Sequence, residues 1–288
     1  LFDAKVDPPG QGALVEVSAY IEQADLAVHG PALRKAGVLF SLLWEGAAPL
    51  FRQSARDAGT SGLTPLSPLS PTRLASTYAH ALRVLSPGEV SLYVKPSEGR
   101  DIQIVATQPP AIIAEAGAEG ESQHLRFRMG RAVELARPTH ILLQALHPEE
   151  GAILLDAVGA AFAPPDASPS VGRDAMSLAA SLWDTVPGRL QGAIREHLAS
   201  SGPAPSFGDV HAWVREAGAR AGLLLVGSVR TAVEALVADA VDVSASALDS
   251  EEAFSTAAQN SGPLRAILSF SLSDNFLAAR SRALRARD

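Results

Sequence analysis

The chain has 288 residues, 47% of them hydrophobic and 19% charged, with a formal net charge of −7 and no cysteine. That composition belongs to an ordinary folded protein, and the length is enough to bury a sizeable core. It excludes disulfides, thiolate catalysis and cysteine-based zinc sites. With no concentrated basic face, it argues against nucleic acid as the main partner.

The first residue is Leu1 and not Met, which points to a piece of a longer or processed protein, with any N-terminal signal outside this stretch. The longest apolar runs are broken by charge or proline short of the ~20 residues that span a bilayer, so a soluble, cytoplasmic protein with no transmembrane segment is expected. Basic residues are nearly all arginine, the lysines being Lys5, Lys35 and Lys95, and alanine is abundant, as a GC-rich bacterial genome would encode.

Leu14 to Ala27 places apolar residues at helical spacing. Pro31 to Arg56 follows as a longer helix, with proline near its start, where it is tolerated. Together they predict an N-terminal helical hairpin over 1–57. It has the look of a helical-repeat unit, although no second copy recurs at a fixed period. Residues 58–71 (AGTSGLTPLSPLSP) carry prolines, serines and glycines without periodicity, and predict a linker and a domain boundary.

The second domain, 72–288, opens with a helix over Thr72 to Leu85 that keeps Leu74, Tyr78, Ala81, Leu82 and Leu85 on one side. The period then changes. Val90 to Val94 and Ile102 to Ala106 alternate, and Ala111 to Ala114 is short and apolar. With PSEGRD and TQPP between them, these runs predict a small antiparallel sheet whose first two strands form a hairpin. From Glu121 onward the pattern is helical. LRFRMGRAVELARPTHILLQAL (Leu125 to Leu146) reads as a helix, a proline break and a second apolar helix. Glu149 and Glu150 suit the first turn of a helix. Phe207 to Val237 predicts one long helix, buried and central because Leu223 to Val226 is apolar all round. Trp183, Trp213 and Met129 read as core residues. Arg280, Arg282, Arg285 and Arg287 suit a solvated terminal helix. The fold class expected is therefore α+β and mostly α.

The chemistry of this pattern is defined by what it lacks. A zinc peptidase helix needs two histidines at i and i+4 with a glutamate between them. Of His29, His80, His124, His140, His147, His197 and His211, no two are four apart. His140 and His147 are seven apart, with no carboxylate at ligand spacing between them. There is no G-x-S-x-G elbow, no P-loop and no dinucleotide fingerprint, so neither metal nor cofactor is expected.

The order of helix, small sheet, helix with a mid-helix glycine and later long helix resembles the gluzincin metallopeptidases of the HtpX kind. PPAIIAEAGAEGESQHLRFRMGRAVELARP resembles that family's sheet and His-Glu-x-x-His helix. VHAWVREAGARAGLLLVGSVRTAVEAL resembles the downstream helix with its glutamate ligand. FRMGRAVELARP and ARAGLLLVG are also similar to patterns in a domain at the C-terminus of large myxobacterial proteins with helical repeats. What the resemblance implies is a zincin-like domain that has lost its site. Placing Gly130 on the motif glycine puts Phe127 and Arg131 where the histidines stand and Arg128 on the glutamate. Arg215 then falls on the third ligand and Ala219 on the aspartate. Arginine stays protonated in proteins and cannot ligate zinc.

Function is accordingly expected to be that of a non-catalytic scaffold or interaction domain with a protein partner. In this reading Arg128, Arg131, Arg215 and Arg220 lie on two facing helices and form salt bridges with Glu134 and Glu216. Two alternatives stay open: an anion or peptide sensor that uses those four arginines, and a hydrolase with a rebuilt site, for which His124 is the first residue to test. Gly130 is expected to serve close helix packing.

Overall fold

The computed structural model describes residues 31–120, 122–164, 171–201, 205–239 and 243–285. The helix expected over Leu14 to Ala27, with His29, lies outside the described residues. Within them the protein is α+β and mostly α, with twelve α-helices around a three-stranded sheet. In chain order these are α1 (Pro31–Phe51), α2 (Arg73–Leu85), β1 (Ser91–Lys95), β2 (Ile102–Val105) and β3 (Ala111–Glu115). They continue with α3 (Ser122–Leu135), α4 (Ile141–Ala145), α5 (Pro148–Phe162), α6 (Arg173–Thr185), α7 (Gly188–Ser201) and α8 (Phe207–Val226). The last four are α9 (Val229–Ala238), α10 (Glu251–Asn260), α11 (Gly262–Ser271) and α12 (Asp274–Arg285).

Many of these helices start where a hydroxyl residue offers a cap. Thr72, Ser206, Ser228, Ser250 and Ser261 each accept a hydrogen bond from the backbone N–H three residues on. Each such bond satisfies one of the donors that a helix start leaves open. The proline break after α3 falls as expected, with α4 resuming at Ile141. Glu149 and Glu150 sit in the first turn of α5.

The sheet corrects the sequence reading. It is mixed, in the order β1-β3-β2, with β3 parallel to β1 and antiparallel to β2. The hairpin is therefore β2–β3, and the first two strands are separated by the third. Burial supplies the reason. Ile112 and Ala114 face the main helical core, while Ala111 and Ile113 pack with Ala58, Val105 and Tyr93 on the other face. A strand that is apolar on both faces belongs in the middle, whereas an alternating strand tolerates an edge.

The segment 58–71, expected as a linker, is laid along the open edge of β1. Pro65 bridges to Tyr93, and the Leu66 N–H donates to the Leu92 carbonyl at 2.6 Å. Leu33, Phe40, Leu43 and Trp44 of α1 share one buried cluster with Leu74 and Tyr78 of α2, Met129 of α3 and Leu224 of α8. In α2, the Tyr78 hydroxyl donates to the Val90 carbonyl, and burial pushes its pKa up to about 12.

The long helix expected over Phe207 to Val237 is two helices. Gly227 adopts φ +71°, its N–H donates to the Leu223 carbonyl at 2.7 Å, and Ser228 caps the next helix. An L side chain would be strained at that φ, and a Cβ there would meet the Arg280 guanidinium at 2.4 Å. Arg280 itself donates to the carbonyls of Leu224 at 2.6 Å and Leu225 at 3.1 Å. This terminal arginine thus supports the C-terminus of another helix, α8, with the favourable sign for the dipole. α8 is central, as expected: Leu223, Leu224 and Leu225 are wholly buried. Met129 is also core, but Trp183 is 46% exposed, stacked on Phe162 and covered by Arg195 at 4.9 Å. No helix among the described residues is long and apolar enough to cross a membrane.

The contact that sets the rest is the crossing of α3 and α8. A Cβ on Gly222 would lie 2.6 Å from a Phe127 ring carbon and 2.8 Å from the Phe127 carbonyl oxygen. One on Gly130 would lie 3.0 Å from the Ala221 carbonyl oxygen, and one on Gly218 would lie 3.1 Å from Leu135. Gly130 thus serves close packing, with two further glycines on the facing helix. Gly222→Ala gains about 1 kcal/mol of helix propensity but forces an overpacking that costs roughly 1–3 kcal/mol, at the upper end here because a backbone carbonyl cannot swing away. Urea unfolding should show Gly222→Ala less stable by about 1–2 kcal/mol, whereas Gly192→Ala, in α7 with no atom within 4 Å of the added methyl, should be more stable by about 0.5–1 kcal/mol. A Gly222→Ala protein as stable as its parent would mean that the two backbones do not meet this closely.

Candidate functional site

The residues singled out on α3 and α8 divide into three groups. Phe127 and Ala219 are wholly buried, and both belong to the cluster of Leu223, Leu236 and Ile267. Arg128 and Arg131 reach across to the end of α9, where the Asp239 carboxylate accepts from Arg128 Nε at 2.7 Å and lies 3.6 Å from Arg131. Arg220 pairs with Glu216 one turn earlier on α8 at 3.0 Å. Arg215 lies on the same helix, near enough to Arg131 for the two charges to oppose each other.

Glu134 has two partners that were not anticipated. Glu134 is wholly buried and meets Arg137 at 2.9 Å and His140 at 3.3 Å. The reason is local: Arg137 follows Glu134 by three residues, which on a helical turn brings the two side chains together. Arg137 also donates to the Leu85 carbonyl, joining the end of α3 to the end of α2. A buried set of this kind is costly to break, since removing one partner strands a charge at about 3–5 kcal/mol. His140 is 2% exposed, whereas His147 is exposed and its N–H is taken by Glu150 at 2.8 Å. The two histidines do not converge. Among the described residues, no group of three or more His, Asp or Glu side chains is placed to hold a metal ion.

What the geometry does build is a cleft of about 420 Å³ between β2 and α3. Its apolar wall is Ile102 and Ile104 of β2 with Ala132 and Leu135 of α3. Its polar groups are Arg128, Arg131, Asp239, Arg100, Asp101, Glu115 and Gln144. Arg215, Arg220 and His124 do not line it. Asp239, Gln144 and Arg100 are additions that sequence reasoning missed. Asp239 had one available signal: a carboxylate at a helix C-terminus is unfavourable for the dipole, so it calls for a cation. Asp239 is the C-cap of α9.

Burial governs the electrostatics. It pushes the Arg131 guanidinium below its ordinary value, and Asp239 opposes that shift. The Arg215 guanidinium is lowered first by burial and then by Arg131. His211, stacked on Phe207 one turn before Arg215, is lowered by burial and then by Arg215. His197 is lowered by burial and then by Lys35.

The two histidines give a pH dependence with a definite sign. Their folded-state values lie below the unfolded value of about 6.5, so between the two the unfolded chain binds more protons, and stability rises with pH. Their contribution is fully present above that unfolded value and is lost as pH falls through the folded ones. Thermal melts at about pH 5 should therefore lie below those at about pH 7.5, with a smaller difference in His211→Gln. An equal difference in His211→Gln would remove that residue from the effect.

Comparison of the chain with protein-family models, with curated proteins and with solved structures finds no match.

Proposed function

We infer that the chain is a non-catalytic interaction domain, derived from a zincin-like ancestor and binding a protein partner through the cleft between β2 and α3. The observation that carries this reading is the seating of the Phe127 ring on Gly222. By the resemblance, Phe127 stands where a zinc-ligating histidine would be, and its ring is wholly buried in the helix crossing. Ala219, at the position of the aspartate, is wholly buried as well. Arg128 and Arg131, at the positions of the glutamate and second histidine, are committed to Asp239. A guanidinium cannot give up a proton to act as base or ligand, so these residues suit recognition and not hydrolysis. The cleft beside them, with one apolar wall and a few polar groups, has the make-up of a binding site.

Two measurements test the reading on protein purified without chelator or nickel affinity. Mass spectrometry should find no stoichiometric divalent metal, and incubation with casein should leave the casein intact. One zinc per chain, or casein cleavage that is lost in Arg131→Ala, would overturn it.

A further inference from the structure

The edge of the sheet at β2 is open over Ile102 and Ile104. The direction of the backbone groups follows from two bonds at the strand ends. The Ser91 N–H donates to the Pro110 carbonyl at 2.9 Å, and the Glu115 N–H to the Asp101 carbonyl at 3.0 Å. Backbone groups alternate in direction along a strand. Ile112 and Ala114 therefore bond to β1, whereas Ala111, Ile113 and Glu115 bond to β2. On β2 it is Asp101, Gln103 and Val105 that bond back, which turns the backbone of Ile102 and Ile104 outward. The Asp101 carboxylate accepts from the Ile102 N–H at 2.9 Å. Among the described residues, the Ile104 N–H and the carbonyls of Ile102 and Ile104 have no partner. The other open backbone is covered: 58–71 lies along β1, and the Gln53 N–H donates to the Ala106 carbonyl, just past β2, at 2.8 Å. An open edge is a template for a further strand, and folded proteins blunt it with lysine, proline or a bulge. β2, IQIV, pairs in unbroken register and carries none of these.

This edge lies in the cleft. Ile102 and Ile104 stand opposite Ala114 and Ile112, so their side chains lie on the helical-core side of the sheet, where Ala132 and Leu135 also line the cleft. Gln103, between them, is exposed on the other side. Gln144 of α4 lines the same cleft, and its Nε2 is buried with no hydrogen-bond partner. A buried amide donor of that kind calls for an acceptor from elsewhere. Arg100, Arg128 and Arg131 are matched in number by Asp101, Glu115 and Asp239, so the lining selects neither an acidic nor a basic ligand.

We propose that β2 is a docking edge, to which an extended segment of a partner protein, apolar at alternate positions, adds as an antiparallel strand. The proposal rests on reading the chain as a binding domain and names what that domain takes. The segment's backbone meets the open groups of Ile102 and Ile104, and one of its carbonyls accepts from Gln144. Its apolar side chains fall on the same face as those of the two isoleucines, against Ala132 and Leu135. In this mode the main-chain bonds supply affinity and the alternate side chains supply specificity. Every arginine of the lining keeps the partner it has.

The test uses the whole chain, with calorimetry and hydrogen exchange read by NMR. The probe is the acetylated, amidated peptide Ser-Val-Thr-Val-Thr-Val-Ser. It should bind and slow exchange of the Ile104 N–H about tenfold or more. The valine N–H groups of an antiparallel strand point at β2 and the threonine ones away. N-methylation at the valines should therefore weaken binding about tenfold, and at the threonines no more than about twofold. Ile104→Pro removes the open N–H at a place where an edge strand tolerates proline, and should weaken binding about tenfold. Gln144→Leu should leave the free protein as stable or more so and weaken binding about fivefold. Equal binding of the valine-methylated peptide would overturn the proposal. So would a two-chain particle with the Ile104 N–H already protected, which would make a second copy the occupant. Peptide recovered intact, with Ile104 exchange unchanged, would overturn this inference and leave the non-catalytic reading standing. Peptide recovered in pieces would overturn the non-catalytic reading, while protection of Ile104 would still support the pairing.

Discussion

The α3–α8 crossing is the constraint on which the architecture depends. Two helices ordinarily approach to an axial separation of 8–10 Å, set by the side chains between them. Here Gly130 on one helix and Gly218 and Gly222 on the other leave almost nothing between the backbones, and the Phe127 ring closes over the gap. The close approach has two effects. It carries Phe127 and Ala219 into the core shared with α9 and α11. It also leaves Arg128 and Arg131, beside the crossing, within reach of Asp239 at the end of α9 and of the cleft next to β2. The cleft therefore lies beside the crossing, with Arg131 belonging to both.

Much of this arrangement was legible from local pattern. The helix, proline break and helix of Leu125 to Leu146, the apolar stretch Leu223 to Val226 and the packing role of Gly130 all follow from spacing within a single element. Caps such as Ser206 and Ser228 are equally local. The failures are of another kind. Three short strands in sequence do not reveal which will be central, because that depends on what covers each face; the segment around Ala58 and Pro65 covers the second face and the β1 edge. The partner of Arg128 lies 111 residues away, and no periodicity connects the two. The Glu134–Arg137 pair was overlooked although its three-residue spacing is local.

The charged groups follow one rule at different depths. Glu134 is wholly buried and is enclosed by Arg137 and His140. Arg128 and Arg131, only partly covered, share one carboxylate across the mouth of the cleft. The exposed pair of Arg189 and Glu45 contributes little, as surface ion pairs generally do.

Arg280 adds a consequence in time. The carbonyls that close the central helix are met by a residue 56 positions further along the chain. At synthesis rates of about 5–20 residues per second, such an interval lasts roughly 3–11 s. During that interval α8 has its full apolar sequence but lacks the guanidinium that supports its C-terminal end. The helix at the centre of the molecule is thus completed by an element made well after it. For those seconds, any factor that shields Leu223 to Val226 acts on a helix whose end has yet to be secured.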